Sequence, residues 1–193
     1  MTITDYDKVL DIFIYNLIPE TTMAVEKGNK IFGAFIIKKS DLSLLITGTN
    51  NEIINPLYHG EITTLFNFFE SSNFKPKDYY FISSHEPCSL CLSAITWSGF
   101  DNFYYFFPYK DTNISFNIPH DLDILKEVFQ VNEGKYSHNN KYWKSFSIIE
   151  EIKKNEHQNN YNLSEKIEKI KLLYRELSNK YQNSKISNNI PLK

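Results

Sequence analysis

A chain of 193 residues, 41% of them hydrophobic and 23% charged, is long enough for a domain with a full core and has neither a fibrous nor a disordered composition. A formal net charge of −2 with no lysine/arginine block argues against a polyanion-binding track, and no apolar run is long enough to span a bilayer. The opening Met1-Thr2-Ile3-Thr4-Asp5 lacks a signal-peptide layout, and the two cysteines stand at C-x-x-C spacing, which suits metal or redox use; the chain reads as cytoplasmic.

Tyr6, Val9, Leu10, Phe13 and Leu17 recur at helical spacing and predict a helix over 5–18, interrupted by Pro19. A second helical stretch runs from Glu20 to Lys27 and ends at Gly28. Ile31 to Ile37 and Leu42 to Thr47 are short apolar runs flanking the polar Lys38-Lys39-Ser40-Asp41, the pattern of a strand hairpin. Thr49 to Pro56, rich in asparagine, is a predicted loop. Ile62, Leu65, Phe66 and Phe69 predict a helix over 59–69. Tyr79 to Ser83 reads as a strand, and Pro87 opens a helix to about Ser98, since proline costs nothing in a first turn. Asn102 to Phe107 is another buried strand, Asp121 to Gln130 a helix and 132–141 a loop. In the last third, Asn162 and Glu165 resemble a capping box. After them Leu163, Ile167, Ile170, Leu173 or Tyr174, Leu177 and Tyr181 form one apolar stripe that must pack on the core or on a second subunit. The order of elements predicts an α/β fold, a sheet with helices on both faces. The expected organisation is a single domain over 1–183, with a core of about 20–130, a helical extension of about 142–183 and a disordered tail over 184–193.

The densest chemistry lies in His59-Gly60-Glu61 and Pro87-Cys88-Ser89-Leu90-Cys91, with Cys88 29 positions after His59. Zinc prefers imidazole nitrogen and thiolate sulfur, and a catalytic site leaves one of four positions open. His59, Cys88 and Cys91 supply three ligands. The cysteines fall in the first turn of a predicted helix, where unpaired N–H groups favour thiolates. Glu61, two residues past the histidine, is placed to move protons between a water and a substrate. An H-x-E followed by P-C-x-x-C is a known signature of zinc deaminases.

With those residues in place, the chain resembles the cytidine/deoxycytidylate deaminase superfamily, in the branch holding cytosine, guanine and tRNA adenosine deaminases. The likeness runs from roughly Thr22 to Asp111. Ile31-Phe32-Gly33-Ala34-Phe35-Ile36 looks like the family's P-F-G-A-x-I strand, and Gly48-Thr49-Asn50 like its G-x-N element. Asn55-Pro56-Leu57-Tyr58-His59-Gly60-Glu61-Ile62 is similar to D-P-x-x-H-A-E-I, with Gly60 in place of the common alanine. The resemblance implies a three-layer α/β/α fold around a mixed five-stranded sheet, one Zn2+ per chain and a homodimer. It assigns zinc binding to His59, Cys88 and Cys91 and proton transfer to Glu61. Asn50 is expected to orient the substrate, with Gly60 bracing it through its backbone. Phe32, Phe107 and Asp111 are further candidates for the pocket.

The expected function is hydrolytic deamination of a small nucleobase, nucleoside or related heterocycle. A tRNA-specific adenosine deaminase is the alternative within the enzyme class, and the absence of a basic patch counts against a nucleic-acid partner. A second alternative is a non-catalytic, zinc-stabilised binding module, with His85 closing a Cys2His2 site three residues before Cys88. A carboxylate placed like Glu61 counts against it.

Overall fold

In the computed structural model, all residues are described except 72–74, 115 and 156–160, together with the side chains of 71, 113, 114, 161 and 162. Gly33–Lys38 (β1) pairs antiparallel with Leu44–Thr49 (β2) on one side and with Tyr79–His85 (β3) on the other. β3 runs parallel to Asn102–Phe107 (β4), which runs parallel to Lys144–Ser147 (β5). The sheet order is β2-β1-β3-β4-β5, a mixed five-stranded sheet as expected. β5 has no signal in the sequence. It is four residues long, and its buried positions are Ser145 and Ser147, so apolar alternation is missing.

Side chains alternate along β1 and send Phe35 and Ile37 to one face and Ala34 and Ile36 to the other. The first face meets Ile3–Ile12 (α1), Ile18–Glu26 (α2), Ile148–Lys154 (α7) and Tyr161–Ser184 (α8). The second meets Gly60–Ser71 (α3) and Ser89–Trp97 (α4) through Leu65, Phe68 and Ile95. Two shorter helices, Tyr109–Ile114 (α5) and His120–Phe129 (α6), follow β4.

Pro19 does not divide the first helix from the second. A π-helical turn over Phe13–Leu17 joins α1 to α2, and the Ile18 amide donates to the Phe13 carbonyl. Pro19 then sits in the first turn of α2, directly after the π turn, which carries the helix through the position lacking an N–H. The apolar stripe of α8 is buried on the core, with Ile170, Tyr174 and Tyr181 fully enclosed, and Lys166 ties it to Asp7 and Asp11 of α1 at 2.7 Å each. The capping box expected of Asn162 falls outside the described side chains.

Of the tail expected to be disordered over 184–193, Ser184 ends α8 and residues 185–193 fold back on the chain. Lys185–Ser187 makes a 3-10 turn, Asn188 Nδ2 donates to the Gly28 carbonyl at 2.9 Å, and Ile190 is only 2% exposed. The apolar residues of the segment follow no helix or strand period, which concealed this anchor.

Candidate metal and catalytic site

α3 and α4 begin side by side at one edge of the second sheet face. Cys88 is the N-cap of α4 and has extended backbone angles, so its sulfur and that of Cys91 lie at the positive end of the helix. His59 immediately precedes α3. The ligand atoms of His59, Cys88 and Cys91 all lie within 4.8 Å of one another. His59 Nδ1 is 3.4 Å from Cys88 Sγ and 3.6 Å from Cys91 Sγ. A tetrahedral zinc ion with Zn–N near 2.0 Å and Zn–S near 2.3 Å holds such donors about 3.5 Å apart. The set therefore fits one zinc, with the fourth position free of protein ligands among the described residues.

The three ligand groups shift one another's protonation in opposite directions. A hydrogen bond from Cys91 holds the Cys88 thiol well below the usual range, with burial opposing and His59 reinforcing the shift. Burial, together with the neighbouring Cys88, pushes Cys91 well up. Burial pulls His59 down, but Cys88, Glu61 and Glu52 outweigh it and raise the imidazole to about 9. A metal ion binds the neutral imidazole and the thiolates, so it takes the place of protons at this set.

Glu61 lies in the first turn of α3 and is 4% exposed. Its Oε1 accepts from Ser83 Oγ at 2.8 Å and its Oε2 from Cys91 Sγ at 3.3 Å. Burial is the main cause of its raised pKa, followed by Cys88. The carboxylate is thus fixed beside the metal set without being counted in it.

Glu52 is a residue that the sequence reading missed. Its Oε1 accepts from Lys30 Nζ at 2.8 Å and lies 3.7 Å from His59 Nε2, while its Oε2 accepts from Asn50 Nδ2 at 2.7 Å. All of Lys30, Asn50 and Glu52 are at most 5% exposed. The carboxylate stands 3.7 Å from the ring nitrogen of His59 that faces away from the sulfurs, on the side where a carboxylate commonly supports a metal-bound histidine. No local motif announces it, because it works through a loop contact.

Asn50 is occupied on both sides of its amide, since its Oδ1 also accepts the Gly60 N–H. It ties the end of β2 to the start of α3 and does not line the adjoining cavity. Gly60 packs against β1: a Cβ there would stand 2.6 Å from Gly33 Cα and 2.9 Å from the Phe32 carbonyl oxygen.

A cavity of about 350 Å3 opens onto the metal set, lined by Phe32, His59, Cys88, Ile118, Asp121 and Ile190, among others. A narrower recess continues inward past Glu61 and His85. Phe32 lines both spaces. Phe107 does not line either space; it packs on His85, Phe116 and Tyr174 at 4.9 to 5.1 Å. Asp111 also lies outside, because the segment after β4 is helix α5 rather than an open loop. An acid of this region that does line both spaces is Asp121, at the start of α6, with its pKa raised well up by burial and then by Cys88. His85 is not part of the metal cluster, so the arrangement is not a closed Cys2His2 site.

The family model for the cytidine and deoxycytidylate deaminase zinc-binding region matches residues 11–107. No curated protein matches the chain by sequence. Among solved structures, a guanine deaminase from Nitrosomonas europaea aligns with a TM-score of 0.53 at 15% identity, over 84% of this chain and 81% of that one. Guanine deaminase from Bacillus subtilis aligns with a TM-score of 0.52 at 23% identity, over 68% of this chain and 86% of that one. The protein NE0047 in complex with 2,6-diaminopurine gives 0.51 at 16% identity, over 84% and 78%. At these identities the likeness is one of fold.

Proposed function

The chain belongs to the cytidine and deoxycytidylate deaminase family, and from that premise we propose that it is a zinc-dependent hydrolase releasing ammonia from the amidine of a small heterocycle. The observation that carries the reading is Glu61, buried and oriented beside three zinc-type ligands in a small recess that shares Phe32, His59, Cys88 and Asp121 with the larger cavity. Zinc held by His59, Cys88 and Cys91 supplies a Lewis acid that makes water nucleophilic at neutral pH. Glu61 takes a proton from the attacking water and gives it to the ring nitrogen, then passes the second proton to the departing amine. One water is consumed; the C–N bond to the amine breaks, a carbonyl replaces it, and ammonia leaves. Ser83 fixes the Glu61 carboxylate during both transfers.

A cavity of about 350 Å3 is at the small end of ligand sites, which suits a free base or a nucleoside. Ile190, Pro191 and Leu192 wall it with apolar surface, where a tRNA loop would need basic and polar groups. The names of the guanine deaminases and the 2,6-diaminopurine complex make purine bases the first candidates. Exposed Phe66 and Phe69 on α3 and Leu90 and Trp97 on α4 support a homodimer through these adjacent helices.

The test is ammonia release by the zinc-loaded protein from guanine, adenine, cytosine, their nucleosides and a tRNA anticodon stem-loop. Turnover of a base or nucleoside is expected. Turnover of RNA alone would replace this reading with the tRNA deaminase, and silence across the panel would contradict both.

A further inference from the structure

His85 ends β3, three residues before the first cysteine, and is 1% exposed. Aromatic rings hold its imidazole on several sides: Phe32 at 4.8 Å, Phe107 at 4.9 Å, Phe116 at 5.1 Å and Tyr174 at 5.3 Å. Its Nδ1 lies 2.9 Å from Ser84 Oγ. That hydroxyl oxygen also accepts the Gly33 amide proton at 3.0 Å, and in the tautomer in which Ser84 donates to Nδ1 the neutral ring carries its proton on Nε2. Burial favours the neutral form and brings the pKa down to about 3.

Nε2 has no hydrogen-bond partner among the described residues, although a buried N–H is costly to leave unpaired. His85 lines the recess that also holds Glu61, His59 and Cys88. Core packing accounts for the ring, but an apolar side chain would pack there without an orphan donor. Taking the deaminase reading as its basis, we propose that the Nε2–H of His85 donates to an acceptor atom of the substrate ring, a carbonyl oxygen or an unprotonated ring nitrogen, and so sets which heterocycle is accepted. His85 is then a specificity-determining residue, distinct from the metal ligands and from the proton carrier. A site built to satisfy a buried donor rejects analogues that lack the acceptor far more strongly than it rejects a change of size.

The experiment is calorimetric titration of zinc-loaded Glu61→Ala protein, which binds without turnover, with cytosine, adenine and guanine. Each base is paired with analogues in which one ring nitrogen or carbonyl is replaced by C–H. For the base that binds, one analogue should bind about ten-fold weaker or worse. Adding His85→Leu should bring parent and analogue to equal affinity, and His85→Asn, which keeps a donor, should restore part of the preference. Zinc content near one per chain in each variant establishes that the site is intact. An identical preference with and without His85, no discrimination by any analogue, or no binding of any base would each overturn the proposal. The function on which it rests is judged separately, by ammonia release from the Glu61-intact protein. Release with a ring preference unchanged in His85→Leu sinks the His85 role alone.

Discussion

Gly60→Ala is the smallest change that should dismantle this site. The sequence resemblance makes alanine the ordinary residue at that position, yet here α3 starts directly against β1. An added Cβ meets Gly33 Cα at 2.6 Å, Gly33 N at 2.8 Å and the Phe32 carbonyl oxygen at 2.9 Å. All three are backbone atoms, so no side chain can swing away. Ordinary contact begins near 3.4 Å, which requires the start of α3 and the strand to part by about 0.8 Å. His59 and Glu61 flank the glycine and would move with it, as would the Gly60 amide that donates to Asn50. Overpacking of this kind costs about 1–3 kcal/mol of stability. A displacement near 1 Å at reacting groups costs about 100-fold in rate. Thermal unfolding, zinc content and ammonia release of the variant should therefore all fall. A Gly60→Ala protein with unchanged melting temperature, one tightly held zinc and unchanged rate would refute the contact on which the reasoning depends.

Glu52→Ala should weaken zinc retention by about 10–100-fold, measured by competition with a chelator, because His59 loses the carboxylate that stands 3.7 Å behind its ring. It also strands Lys30, at a cost of about 3–5 kcal/mol; the double change Lys30→Met, Glu52→Leu should recover stability but not zinc retention. The buried His85 has a folded pKa near 3, below its ordinary 6.5, so the folded chain binds fewer protons than the unfolded one between those values. Its contribution is complete above pH 6.5 and is lost as pH falls toward 3, by a few kcal/mol; His85→Leu should flatten the acid side of a melting-temperature profile, and an unchanged profile would contradict the burial argument. Trp97, 91% exposed, should matter only to assembly: Trp97→Lys is expected to shift sedimentation from dimer to monomer with little change in monomer stability.

The parts legible in the sequence were those in which local pattern and chemistry coincide. Phe35 and Ile37 alternating with Ala34 and Ile36 marked β1 as buried on both faces, and the stripe from Leu163 to Tyr181 marked α8. The spacing of His59, Glu61, Cys88 and Cys91 implied proximity because each group sits at a helix start. Elements lacking apolar periodicity were hidden, among them β5 with its buried serines and the π turn that carries the chain through to Pro19. Residues that join the site through long-range packing were hidden as well. Asp121 follows Cys88 by 33 residues and reaches the cavity only because α6 docks near α4, whereas Asp111, the acid nearest the end of β4, is carried away by α5. Asn50 was legible as part of the site, but its amide serves Glu52 and Gly60. Ile190 could not be found from the tail, because its apolar residues Ile186, Ile190 and Leu192 follow no helix or strand period.

Replacing Glu61 with Gln keeps the shape of the side chain and removes its ability to carry a proton. Wild-type and Glu61→Gln proteins, each brought to one zinc per chain, should be compared for ammonia release on the best substrate of the base and nucleoside panel. The expected result is steady release by the wild type and a loss of at least about 100-fold in the variant, with zinc retained in both. Equal release by the two proteins, or failure of the wild type to hold zinc at His59, Cys88 and Cys91, would contradict the assignment of this site as a hydrolytic deaminase.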